Sequence, residues 1–407
     1  MKRILIISAV FPPEQVTSAF LNYDLAKSLA ENYRVTVLRP KPTRPFGERF
    51  PEGWSDPDFE TIVIDSYTSP ESQLRGRYKE TRDFGRKSAQ YIIAHKGEID
   101  FIYNDGWQLF GLQIVAKTCV KCGIPYIVPI QDIYPESLLT KGVYPSIIKT
   151  LIKSMLLPID KYYQKHAYRV RTISKEMADY LSRTRKVSRE KYLVVNNWQN
   201  DEEFSILPQK EEDRKKIVFA YVGSINVHAN VDLMIKAFAE AQIPNSEFRI
   251  YGGGNQKDKC MQLVKDLGLT SVSFGFVSRT DIPRAQSEAD VLVLALPTRN
   301  GNLCLPSKLT SYLLSGKPVI ASVDSDSSTA RILREVQCGI SVEADDLESL
   351  KIAFSFFSSI EREELTKMGD RSREYALAHL TREVNLRMVV DAIEVCLNEN
   401  NNNNKKQ

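Results

Sequence analysis

Within the 407-residue chain, the stretch from Asn302 to Ala321 (NLCLPSKLTSYLLSGKPVIA) concentrates side chains whose type and spacing suit phosphate chemistry. Pro306 is the kind of residue that opens a helix, while Gly316 and Pro318 are kinds that close one. Leu309, Tyr312 and Leu313 recur at i, i+3 and i+4 and should face a core. Such a helix turns its first free N–H groups outward together with the Ser307 hydroxyl and the Lys308 ammonium. That set can hold a phosphate and stabilise a diphosphate that gains charge as it leaves. An ordinary capped helix is the alternative reading. Two more candidates lie on the other half of the chain: Asp105, in Asn104-Asp-Gly-Trp107 behind the apolar run Phe101–Tyr103, and Asp132, behind Tyr126–Ile130. Either aspartate could equally be a polar cap.

Several patterns point elsewhere and carry less. Asp324-Ser-Asp326 has the form of a metal-binding D-x-D, but Asp/Ser clusters ordinarily make turns. Cys119-Val-Lys-Cys122 is a lone C-x-x-C with no second pair. Gly252-Gly253-Gly254 lacks the G-x-G-x-x-G register of a nicotinamide site. With four histidines and no Cys/His cluster, neither zinc nor any other metal or cofactor is expected.

The elements that must position these residues follow from hydrophobic pattern. Continuous apolar runs at Lys2–Ala9, Arg34–Leu38, Thr61–Ile64, Phe101–Tyr103, Tyr126–Ile130 and Val170–Ile173 alternate with helical stretches, as in a parallel sheet buried on both faces. The alternation restarts at Lys216–Val222 and continues through Phe248–Tyr251, Val272–Phe274, Val291–Ala295 and Pro318–Ser322. Length alone favours two domains. The fold class is therefore α/β, with two doubly wound, Rossmann-like domains: residues 1–200 and 201–385. A polar hinge at Asn196–Asp213 would join them. A final helix over 386–397 would pack back on the first domain, and an Asn-rich tail over 398–407 would be disordered. Ligands in such sheets bind beyond the carboxyl ends of the strands, which is where all the candidate residues fall.

Composition narrows the setting. Apolar residues make up 43% and charged residues 26%, and six scattered cysteines fit a reduced, cytoplasmic protein. Net charge is +4 overall, but residues 1–200 carry +9 and the remainder −5. Opposite signs suggest different partners for the two domains. Between Pro145 and Lys165, Ile147, Ile148, Leu151, Ile152, Met155 and Leu156 recur at helical spacing beside Lys149 and Lys153. Such a stripe is either core or an interfacial helix on an anionic membrane.

The pattern PSKL-x-x-Y-x-x-x-GKPVIA resembles the donor domain of family-4-type glycosyltransferases, enzymes of the GT-B fold that build bacterial surface polysaccharides such as O-antigen and capsule. Phe219-Ala-Tyr-Val-Gly-Ser224, Arg249-Ile-Tyr-Gly-Gly-Gly254 and Val272-Ser-Phe-Gly-Phe-Val277 are similar, in order, to other donor-domain segments of that family. In the first domain, Gln131–Ser137, Thr172–Met177 and Asn196-Asn-Trp198 are similar to segments of the same subgroup. The resemblance implies a retaining glycosyltransferase with two domains facing across a cleft. A nucleotide sugar would be the donor, a lipid-linked glycan the acceptor, and nucleic acid no partner. It implies donor contacts at Gly223, Ser224, His228, Gly253, Phe276, Val277, Pro306, Ser307 and Lys308. On the acceptor side it implies a contact from the Gln131–Glu136 loop, through Asp132 or Glu136, while Asp105 is an acceptor-side candidate from its place behind a strand. Asp132 and Lys308 are the expected catalytic pair.

The chain departs from that family in three places. Two glutamates seven residues apart are replaced by Leu303 and Ser311, and a glycine pair after the first strand by Val16-Thr17-Ser18. After Gly223, where the family offers an Arg and a Lys to the diphosphate, stands Ser224-Ile-Asn-Val-His228, with His228 as a substitute donor. The losses leave two alternatives open: a degenerate nucleotide-sugar-binding protein, and a sugar-nucleotide 2-epimerase.

Overall fold

The computed structural model describes residues 1–44, 46–51, 53–69, 73–140, 145–198, 201–205, 216–297 and 305–404. The chain divides into two compact units, the first formed by Met1–Asn197 together with the chain from Asn385 onward, the second by Trp198–Val384.

In the first unit the elements run β1 (Arg3–Ser8), α1 (Thr17–Ala30), β2 (Arg34–Pro40), β3 (Glu60–Ile64), α2 (Leu74–Ala94), β4 (Phe101–Asp105), α3 (Phe110–Cys122), β5 (Tyr126–Ile130), α4 (Glu136–Thr140), α5 (Ser146–His166), β6 (Arg169–Thr172), α6 (Lys175–Arg185) and β7 (Tyr192–Val194). The seven strands form one sheet in the order β3-β2-β1-β4-β5-β6-β7, every pair parallel. Ile4, Ile6, Phe101, Ile102, Ile127 and Val128 are wholly buried, which is why these strands read as unbroken apolar runs.

The second unit runs β8 (Ile217–Val222), α7 (Val231–Ala241), β9 (Ser246–Tyr251), α8 (Lys257–Asp266), β10 (Val272–Gly275), α9 (Ile282–Ser287), β11 (Val291–Ala295), α10 (Ser307–Leu314), β12 (Val319–Ser322), α11 (Ser328–Val336), β13 (Gly339–Val342), α12 (Leu347–Ser359) and α13 (Arg362–His379). Its six-stranded parallel sheet has the order β10-β9-β8-β11-β12-β13. An aromatic group of Phe219, Phe238, Phe248 and Phe354 packs one face, and Leu309, Tyr312 and Leu313 of α10 pack the other. Both sheets are thus doubly wound, and strand order reverses at β1/β4 in one and β8/β11 in the other.

The last helix, α14 (Arg382–Asn404), returns to the first unit. Val389, Ile393, Cys396 and Leu397 are buried, Asn385 Oδ1 accepts from the Asn196 N–H at 2.9 Å, and the Tyr168 hydroxyl donates to Glu399 at 3.0 Å. The expectation of disorder from 398 is corrected here, since the helix continues through Asn404. Asn is a weak helix former, but the well-packed turns before it carry the propagation. Residues 405–407 lie outside the described residues. Two further strands, β7 and β13, were absent from the sequence reading. Both are edge strands of three and four residues, too short for periodicity to register.

Candidate active site

At the β8/β11 reversal the second unit holds a pocket of about 430 Å³. Its lining comes from the carboxyl ends of β8 (Val222, Gly223, Ser224), β9 (Tyr251, Gly252, Gly253) and β10 (Val277), from α9 (Ile282, Gln286), from α10 (Ser307, Lys308, Ser311) and from Glu203 and Phe204. The loops after β8 and β9 are zipped by backbone alone. Gly223 N–H donates to Tyr251 O at 2.9 Å, Ile225 N–H to Gly253 O at 2.8 Å, and Gln256 N–H to Ile225 O at 3.1 Å. This close approach demands glycine at 252, where φ is +149° and an added Cβ would collide with the Gly223 carbonyl oxygen.

The position of α10 is set by Tyr312. Pairing between β8 and β11 covers only Phe219 and Ala220 opposite Val291 and Leu292, so the strands part toward their carboxyl ends. The buried Tyr312 hydroxyl enters there, accepting from Val222 N–H at 2.9 Å and facing the Val222 carbonyl at 3.2 Å. Pro306 is the N-cap and makes no side-chain cap, one residue earlier than the first helical position. Its carbonyl accepts from Leu309 N–H at 3.0 Å. The first N–H groups of the helix, at Ser307 and Lys308, therefore open toward the pocket without a hydrogen-bond partner among the described residues. Gly316, at φ +64°, closes the helix in the left-handed conformation.

Lys308 lies across this loop. Its stem abuts Gly223, where a Cβ would overlap Cε, and its ammonium stands 5.7 Å from the Tyr221 ring centroid. The Tyr221 hydroxyl donates to Ser224 O at 2.7 Å and ties the loop down. Burial lowers the Lys308 pKa below its ordinary value, because no carboxylate pairs with it among the described residues. A half-buried cation with no counter-charge among the described residues, beside open helix N–H groups, has the make-up that suits an anion.

Ser311, one of the two positions lacking the family's carboxylate, is part of the same pocket. Its hydroxyl donates to Lys308 O at 2.9 Å and accepts from Gln286 Nε2 at 3.1 Å, while Ser315 Oγ donates to Gln286 Oε1 at 2.6 Å. Gln286 is thereby locked at the pocket wall. Leu303, the other position, lies outside the described residues.

Of the expected donor contacts, the structure brings Gly223, Ser224, Gly253, Val277, Ser307 and Lys308 to this pocket. It does not bring three others. Phe276 points outward and is 80% exposed, so Val277 alone represents its loop. His228 is exposed, on a turn where its N–H donates to Asn226 Oδ1 at 2.9 Å. Pro306 stands behind the lining, at the cap. Gln286, Tyr221 and Glu203 were not anticipated. Gln286 acts through Ser311 and Ser315, distant in sequence, and Tyr221 through the Ser224 carbonyl three residues on, so no recognisable motif marks either.

The first-unit candidates differ in their settings. Asp105 ends β4, buried, with Oδ2 accepting from Asn22 Nδ2 at 2.6 Å. Burial pushes its pKa up to about 6, with the Asn22 hydrogen bond and the Arg171 charge pulling back. Asp132 is exposed on the turn after β5. Glu136 is bound by Arg185, at 2.9 and 2.8 Å, and by the Tyr180 hydroxyl at 3.0 Å. Arg185 in turn donates to buried Asp160 at 2.6 Å. Burial alone would raise the Glu136 pKa, but the Arg185 contacts outweigh it and hold the carboxylate below its ordinary value. Glu136 is thus committed to an internal ion-pair network.

Comparison with known proteins fits this geometry. Residues 202–375 match the family described as glycosyl transferases group 1, and residues 22–198 the glycosyl transferase 4-like domain. Among solved structures, Anabaena Alr3699/HepE in complex with UDP is similar at TM-score 0.68 and 14% identity, over 97% of this chain and 100% of that one. The lipopolysaccharide outer core galactosyltransferase WaaB (apo form) is similar at TM-score 0.65 and 15% identity, over 97% and 99% of the two chains. WaaG, a glycosyltransferase involved in lipopolysaccharide biosynthesis, is similar at TM-score 0.62 and 14% identity, over 96% and 98%. No curated protein sequence matches the chain. Fold and site define a GT-B glycosyltransferase. The chain belongs to the family-4 type, its first domain 4-like and its second of group 1.

Proposed function

We propose that this glycosyltransferase takes its sugar from a nucleotide diphosphate donor held in the second domain, and passes it with retention of configuration to a lipid-linked glycan of the cell surface. The observation that carries the reading is Lys308, a half-buried ammonium lacking a carboxylate partner among the described residues, beside the open N–H groups of α10. These groups bind the diphosphate, and they bind it more strongly as the glycosidic bond breaks and charge collects on the leaving oxygen. The Gly223–Gly252 loops present backbone and no side-chain bulk to the donor, so it can approach closely. HepE, crystallised with UDP and with UDP-glucose, gives a precedent for such a donor in a similar fold. Charge neutralisation through Lys308 requires no metal or cofactor, and activity survives EDTA on this reading.

The work is done in the cytoplasm, at the inner face of the cell membrane where a lipid-linked acceptor resides. Among the described residues no helix is long and apolar enough to cross a membrane, so contact with the bilayer is peripheral on this reading. A thermal-shift screen of UDP-, GDP- and dTDP-sugars tests the donor site, since a ligand that binds only the folded state raises its melting temperature. Because Lys308 acts mainly on the departing diphosphate, Lys308→Ala should keep a reduced shift, and absence of any shift from every donor in the parent protein would overturn the reading. Ser311 favours one competing reading, a protein that binds nucleotide sugar without transferring it. Slow donor hydrolysis separates the two, because a binder alone releases no free sugar.

A further inference from the structure

Helix α5 is exposed where an internal helix would be covered. Ile147 is 81% exposed, Leu151 59% and Met155 66%, with Ile148 also open. At about 100° per residue these four side chains fall within one arc, so they form a continuous apolar strip along the first three turns. Pro158 marks the change: beyond it Asp160, Tyr163 and Gln164 are buried, and the helix packs against α3.

Two features fit this strip to a lipid surface rather than to another protein core. The polar side chains among the apolar ones are satisfied inside the helix, Thr150 donating to Ser146 O at 3.0 Å and Ser154 to Leu151 O at 2.8 Å. They bring no unmet hydrogen bond into an apolar medium. The charge on the helix is also one-sided. Its single acidic residue, Asp160, is buried against Arg185, while the helix carries four lysines, Lys149, Lys153, Lys161 and Lys165. Lys161 and Lys165 return to the same arc as the apolar strip, further along the axis. Lys149 and Lys153 lie on the opposite side, and Lys153 stands 3.7 Å from Glu136, so these two are not the neighbours of the strip that the linear spacing suggested.

We infer that the exposed strip Ile147-Ile148-Leu151-Met155, continued by Lys161 and Lys165, docks the first domain onto an anionic lipid bilayer. The apolar side chains enter the headgroup–acyl boundary and the lysines meet lipid phosphates. The proposal stands apart from transfer chemistry, because vesicle binding is read without any sugar.

Cosedimentation of the full chain with phosphatidylcholine vesicles, with and without an equal part of phosphatidylglycerol, tests it at low and high salt. Binding to the mixed vesicles at low salt is expected, falling severalfold at high salt, with little binding to phosphatidylcholine alone. Ile147→Glu/Leu151→Glu should abolish it and Lys161→Glu/Lys165→Glu should remove its salt-sensitive part. Ile352→Glu, at an exposed apolar site on α12, should leave it unchanged. Ile147, Leu151 and Lys165 are exposed and Lys161 is half-buried, so melting temperatures should stay near that of the parent. Equal binding to both vesicle types, no binding to either, or unchanged binding by the α5 variants would overturn the proposal. So would an α5 variant that only converts a dimer to a monomer, which would make a second copy the occupant.

Discussion

Replacing Lys308 separates its two roles, since its stem fills space against Gly223 and Tyr221 while its ammonium supplies charge. Lys308→Met keeps most of the stem and removes the charge, whereas Lys308→Ala removes both. One preorganised contact to a developing negative charge contributes about 2–4 kcal/mol, equivalent to about 30- to 900-fold in turnover. The Met variant should therefore lose about that much kcat with a smaller change in donor KM, and its melting temperature should hold or rise because burial disfavours the charge it removes. The Ala variant should show the same loss in kcat and some loss of stability. The sign of the pH response follows from burial: the lowered pKa means that the empty site loses its charge earlier on the alkaline side. A bound diphosphate favours the ammonium and raises its pKa, so the thermal shift from donor should shrink as pH rises through the Lys308 titration. Initial rates at several donor concentrations, with thermal shifts at a series of pH values, measure both. A Met variant with kcat within about threefold of the parent would refute the leaving-group role.

Gly252→Ala forces a Cβ against the Gly223 carbonyl at a φ of +149°, so donor-induced thermal shift should vanish while the first domain keeps its own melting transition. Tyr312→Phe leaves the buried Val222 N–H unpaired, costing about 1–3 kcal/mol, to be read in urea unfolding of the second domain. Asp105 has a folded pKa near 6, above the ordinary carboxylate value, so its charge burdens the folded state increasingly as pH rises from about 4 through about 6. A shift of about two units corresponds to about 3 kcal/mol. Asp105→Asn should remove that slope and stabilise the first domain at pH 7, and equal slopes in both proteins would refute it.

The doubly wound architecture was legible because parallel strands buried on both faces become unbroken apolar runs, as β1, β5, β8 and β11 do. Edge strands β7 and β13 bury less and are shorter, and they left no comparable signal. At the site, Gly223, Gly253, Ser307 and Lys308 were legible because glycine turns and helix ends have local signatures. Gln286 was not, because its role depends on Ser311 and Ser315, a helix away. Phe276 and His228 do not line the pocket, for the converse reason. A residue's type and loop can be read from sequence, but the direction of its side chain is decided by neighbours such as Asn226, which turns the His228 loop on itself. Glu136 had a carboxylate's chemistry in principle, and Arg185 took it.

The first domain is discontinuous: the chain leaves it at Asn197, completes the second domain, and returns at Asn385 to place Val389 and Ile393 in the first domain's interior. During synthesis on the ribosome the β3–β7 sheet therefore emerges without one of its covering helices and waits through nearly two hundred residues of translation. The second domain, continuous from Trp198 to Val384, can finish folding in that interval. A nascent chain of this design should need protection of an exposed apolar face until α14 arrives. A recombinant first domain cut near residue 200 would carry that bare face permanently, whereas a fragment spanning 198–384 would not.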